Sequence, residues 1–284
     1  MNQRIRDGLR PMALGLAALA GLWLHGCGSE VYEQRLQETA AFFAYMDKLN
    51  DNLEAVWRRQ EFGMSMRPPK PFQLMPAPVP PEVEEGEEPP PVDDIRQPLF
   101  LGTELPGLIE AWRADLPSDS GEPVAAFLYV LGNHQRFLDL ARSEGVGADP
   151  ATFLSELEIV LQQALGVTLP EGESRQADPN ARYRERLPKE ERYAVPKDFT
   201  AIDFEPPEPI GGVPLRLHLY QYQTGQVQVA LLMVYPADVR DRPQERLKLA
   251  LETLNVSGQA PKPQRRSSDG ESGGPSPGRP SRAF

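Results

Sequence analysis

Side chains able to do chemistry are few in this chain, and they are scattered. It has one thiol, Cys27, and three imidazoles, His25, His134 and His218. Asn133, His134 and Arg136 form the one compact polar group. They follow an apolar run and open a polar segment, so backbone N–H groups and a guanidinium could face an anion there. The same three residues are equally readable as a helix cap with two solvated side chains. His218 has Tyr220 and Tyr222 beside it, a contact patch or a pair of cross-strand aromatics. The segment ARYRERLPKEERYAVPK sets Tyr183 and Tyr193 among six basic residues from Arg182 to Lys197, with acids offsetting most of their charge. It reads as a solvated loop rather than a nucleic-acid patch.

Missing patterns narrow the chemistry further. There is no G-x-S-x-G elbow, no phosphate-cradling glycine loop and no pair of histidines at ligand spacing. We therefore expect no metal site, no cofactor and no catalytic residue. A hydrolase built on two carboxylates leaves no local signature and stays open as an alternative.

Cys27 has a distinctive context. Arg4, Arg6 and Arg10 precede an apolar run of 13 residues, Met12 to Leu24. That run is short of the roughly 20 residues a spanning helix needs. A basic start, a short apolar middle and small residues at the end form an export signal. It closes on Leu24-His25-Gly26-Cys27, which resembles the lipobox of bacterial lipoproteins. The resemblance covers residues 1–28 and concerns addressing only. It implies cleavage before Cys27, lipid on its sulfur, and attachment to a membrane of the cell envelope on its periplasmic or extracellular side. Gly28, not Asp, follows the cysteine, which by the same resemblance permits an outer-membrane destination. No second cysteine remains to pair, so the exported part must fold without a disulfide.

The rest of the chain must position whatever function there is. Net charge is −11, which argues against a nucleic-acid partner. Residues 27–62 read as a tether and one long amphipathic helix. Tyr32, Leu36, Thr39, Phe43, Met46, Asn50, Leu53 and Trp57 form a seam at alternating spacings of four and three. The helix could pack on its own domain, on a second copy or on another protein. Residues 63–98 hold eleven prolines and a run of glutamates, and read as a disordered spacer. At polyproline rise such a spacer reaches roughly 90 Å. A folded domain is expected over 99–256 and a basic disordered tail over 257–284.

Within 99–256 the patterns predict α+β, a small, mostly antiparallel sheet with packed helices. LPGLIEAWRADL is expected as a short helix and VAAFLYVL as a strand buried on both faces. Asp149, Pro150 and Gly166 bracket a helix, and Pro243 to Leu254 form the last one. Residues 170–198 are read as a long loop. PLRLHLYQYQTGQVQVALLMVYP is a hairpin. A three-residue loop, Gln223-Thr224-Gly225, would pair Leu219 with Val229 and Leu217 with Leu231. The functional expectation is a membrane-anchored envelope lipoprotein with a scaffold, accessory or protein-interaction role. The alternatives are an anion-binding module at Asn133, His134 and Arg136, or a carboxylate-dependent hydrolase of envelope polymers.

Overall fold

A computed structural model describes residues 29–79, 93–143, 145–175 and 178–261. The leader, Cys27, residues 80–92 and the tail from 262 lie outside the described residues. The fold is α+β, with four α-helices and two antiparallel sheets among the described residues.

The helices are α1 (Ser29–Asn52), α2 (His134–Arg142), α3 (Phe153–Leu165) and α4 (Pro243–Glu252). The main sheet has seven strands: β3 (Gln73–Leu74), β4 (Leu108–Pro117), β5 (Pro123–Gly132), β6 (Arg182–Leu187), β7 (Lys197–Phe204), β8 (Leu215–Thr224) and β9 (Val227–Pro236). Their order is β3-β4-β5-β9-β8-β7-β6. A small second sheet joins β1 (Trp57–Arg59), β2 (Met64–Met66) and β10 (Asn255–Val256).

Two cores result, one on each side of the main sheet. On one side Phe153, Leu157, Leu161 and Leu165 of α3 meet Ala111, Tyr129, Leu217, Leu219 and Leu232. Helix α3 forms where its end signals demanded. The Asp149 side chain accepts from Ala151 N–H, and Gly166 closes the helix with a left-handed φ of 62°. On the other side Leu247 and Leu251 of α4 and Met64 and Met66 of β2 pack on Trp112, Leu128, Tyr220, Val229 and Leu231.

Four expectations are corrected. LPGLIEAWRADL is not a helix; Leu108–Pro117 is strand β4. Its apolar positions fit both periods, and pairing with β5 and β3 decides for the extended form. Residues 182–187, read as loop, form the edge strand β6. Glu185 interrupts the apolar alternation there, yet it shares a strand parity with the buried Tyr183 and Leu187. The hairpin turns through two residues, Gly225 and Gln226, with Thr224 opposite Val227. Leu217 thus faces Val234 and Leu219 faces Leu232. Strand β9 is buried along its whole length on both faces, so either register would have hidden its apolar residues. Gly225 takes φ 55° at the first loop position, where a two-residue hairpin wants a positive value.

The fourth correction concerns the helix and the spacer. The helix expected to about residue 60 stops at Asn52, and Trp57 lies in β1. Arg67 ends it by donating to the Leu53 and Glu54 carbonyls and to Asn50 Oδ1, and the Lys70 ammonium donates to the Asn50 carbonyl. Cations on the last carbonyls satisfy acceptors that the helix leaves open. Met64, Met66 and Phe72, all within the expected spacer, are core residues. Glu110, 2% exposed, then fastens both flanks of the acidic segment. Its carboxylate accepts from Arg59 (2.6 Å) and Trp57 (3.2 Å) on one side and from Arg96 (3.3 Å) on the other. The described residues on either side, 57–59 and 94–96, thus meet on one carboxylate.

Candidate functional site

Asn133, His134 and Arg136 sit where β5 passes into α2, but their side chains diverge. Asn133 is fully buried. Its amide donates to the Pro150 and Gln226 carbonyls, and its Oδ1 accepts from Gln228 N–H, each at 3.0 Å. It stitches the hairpin turn to the start of α3 and caps nothing with its side chain. Arg136 reaches only the start of α3. It donates to the Asp149 carbonyl (2.9 Å) and to Glu156 (2.6 Å), and its guanidinium lies 5.3 Å from the Phe153 ring centre. These bonds hold the Glu156 carboxyl below its usual range. His134 turns the other way, with Nε2 at 3.1 Å from the Phe62 carbonyl. Burial pushes its pKa down, so the imidazole is held neutral. The three do not converge on one ligand position.

His218 lies in a different setting. Asp203 Oδ1 is 2.6 Å from its Nδ1 and the Tyr235 hydroxyl 2.8 Å from its Nε2. The Tyr235 hydroxyl also reaches Gln244 of α4 at 3.1 Å, and burial pushes the phenol up to about 12. This chain ties β7, β8, β9 and α4 together. Both imidazole nitrogens are occupied, so it holds the layers in register and leaves no free base.

A further concavity lies elsewhere, a groove of about 710 Å³ between α1, α4 and the loop from β6 to β7. Three distant stretches meet there. Tyr45 and Lys48 come from α1, Lys189 and Arg192 from the loop, Glu245 and Lys248 from α4. The Tyr193 ring of the loop lies tilted 5.2 Å from Tyr45 and edge-on 5.5 Å from Phe42. The Tyr45 hydroxyl donates to Glu252 (3.0 Å). Burial and that carboxylate raise the phenol well above its ordinary pKa, so it stays a donor. Inside the groove Lys248 donates to Glu185 (2.8 Å), whose second oxygen accepts from the buried Tyr220 hydroxyl (2.8 Å). Lys48, Lys189 and Arg192 have no carboxylate partner among the described residues, and neither Glu190 nor Glu245 has a cation. The groove thus offers free charge of both signs beside fixed aromatic walls.

Sequence reasoning passed over this groove. Residues 182–198 belong to the stretch expected as a loop, and Tyr45 lies outside the expected helix seam. Among the described residues no cluster of three His, Cys, Asp or Glu side chains is placed to hold a metal ion. No described helix is long and apolar enough to cross a membrane. No known family model, curated protein or solved structure matches this chain.

Proposed function

We propose that this chain is a lipid-anchored envelope lipoprotein that works by binding, not by catalysis, and that the groove beside α1 receives another envelope component. The observation that carries this reading is the groove's set of charges without an ion-pair partner, of which Arg192 rests on the Tyr193 ring at 5.2 Å. Ionic groups that lack an internal partner are free to select one from outside, and complementary charge speeds and orients such an encounter. The deep carboxylates favour binding over hydrolysis. Glu185 already accepts from Tyr220 and Lys248, and Glu252 from Tyr45. The lipobox-like stretch ending at Cys27 supplies the anchor. One acyl chain holds a protein only marginally, and two or more make the attachment durable.

The test uses native electrophoresis of membranes from cells making the full chain. The wild type is expected in the membrane fraction, in a complex larger than itself. Lys48→Glu, Lys189→Glu and Arg192→Glu together should leave it in that fraction at its own mass. Cys27→Ala should move it to the soluble fraction. A complex indifferent to the triple change refutes the groove, and a membrane-bound Cys27→Ala protein refutes the anchor.

A further inference from the structure

Helix α1 has two apolar sides, and the domain uses one. Phe42, Tyr45, Met46 and Leu49 turn toward α4 and Tyr193; Leu49 is 5% exposed and packs with Leu249 and Ala250. Tyr32, Leu36 and Phe43 follow at spacings of four and seven on the adjoining side. They are 63%, 50% and 59% exposed. Phe42, its ring centre 5.9 Å from that of Phe43, is their one aromatic neighbour among the described residues.

Position in the chain says what covers them. Only Gly28 separates Cys27 from the first residue of α1. Two residues of backbone reach about 7 Å. If the Cys27 sulfur carries lipid, as proposed above, the first turns of α1 cannot leave the headgroup region. The stripe is also too short for a coiled coil. From Tyr32 to Phe43 it spans under two heptads, where about three or four are needed. Beyond Phe43 the seam is taken up by the domain, with Leu53 buried. The helix cannot cross the bilayer either. We infer that α1 lies in the membrane interface with Tyr32, Leu36 and Phe43 turned into the lipid, and so fixes the groove close to the bilayer surface. Apolar contact and the tether drive this seating. Charge opposes it, because Glu30, Glu33, Glu38, Asp47 and Asp51 outnumber Arg35 and Lys48 on this helix.

The test takes the full lipidated chain in phosphatidylcholine vesicles. Cys27 is acylated, so one introduced cysteine is the sole labelling site. Leu36→Cys and Gln37→Cys each receive an environment-sensitive fluorophore; successive helical positions differ by about 100° in direction. Lipids carrying a shallow nitroxide should quench and blue-shift the label at 36 and leave that at 37 unchanged. Adding anionic lipid should weaken the quenching at 36. If both labels stay unquenched while the protein floats with the vesicles, the interfacial seating is wrong and the anchor stands. A concentration-dependent dimer in that case assigns the stripe to a second copy. Quenching that needs anionic lipid overturns the apolar basis. An intact mass showing an unmodified Cys27 removes the anchor and this inference with it.

Discussion

Beneath α3 the sheet meets Phe153, Leu157, Leu161 and Leu165, and the contact is mostly apolar, with one ion pair at its edge between Arg182 of β6 and Glu158 of α3. Beneath α4 the same strands bury ionic and hydroxyl groups as well. Glu110 is gripped by Arg59 and Arg96, Glu185 by Tyr220 and Lys248, and His218 by Asp203 and Tyr235. Three such sets lie on this face against one ion pair at the edge of the other, and this face opens into the groove. The difference teaches where to look for function. A core needs volume and shape, which apolar residues supply at least cost. Buried ionic pairs add little net stability over packed hydrocarbon. Their concentration on one face makes sense if that face must hold a charged surface and α1 in fixed positions.

The contrast can be broken by substitution. Glu110→Ala takes the shared acceptor from Trp57 and Arg59 and leaves Arg96 with Asp94 alone, and should cost about 3 kcal/mol in urea unfolding. It should also loosen β1, read as faster hydrogen exchange over residues 57–59. Leu161→Ala on the apolar face should cost about 3 kcal/mol through an unfilled cavity, with Leu161→Met tolerated. It should leave the membrane complex of the folded protein intact. Tyr220→Phe removes one donor to Glu185 and should cost about 1 to 2 kcal/mol. If Tyr220→Phe proved harmless, the network would be decoration on an ordinary core.

Acid sharpens the comparison. The Arg96 hydrogen bonds hold Asp94 below its usual range, so its contribution is present above that range and lost as pH falls through the lowered value. His134 is a base with a lowered folded pKa. Its contribution is complete above the ordinary 6.5 and drains away as pH falls from there toward the folded value. His134→Gln, which keeps a donor for the Phe62 carbonyl, should therefore flatten the loss of stability from about pH 7 to about pH 5. The smallest expected effect belongs to Lys48→Glu, Lys189→Glu and Arg192→Glu. These surface changes should move stability by no more than about 0.5 kcal/mol each, and any larger shift would show that the groove's cations serve the fold.

Legibility in the sequence follows the same divide. Helix α3 could be read because Asp149, Pro150 and Gly166 are local signals. Strand β5 could be read because VAAFLYVL has no polar side to confuse it. Strand β4 could not, since Leu108, Ile109, Trp112 and Leu116 suit a helix as well as Trp112, Ala114 and Leu116 suit a strand. Strand β6 was hidden by Glu185, an inward carboxylate whose partners, Tyr220 and Lys248, come from remote elements. The hairpin register failed because β9 is apolar on both sides, so alternation gave no penalty for a slip. Asn133 carried the signature of a cap and serves as an internal latch. The groove depends on residues near 45, 189 and 248 meeting, which no local pattern announces.

Site-specific photo-crosslinking in intact cells tests the central claim most directly. A photoreactive residue replaces Lys189 in the groove or Ile159, which is 51% exposed on the outer side of α3. The account predicts one adduct of defined mass, from position 189 alone, with an envelope component other than this chain. Adducts from 159 alone, or from neither position in cells where the protein is membrane-bound, would contradict it.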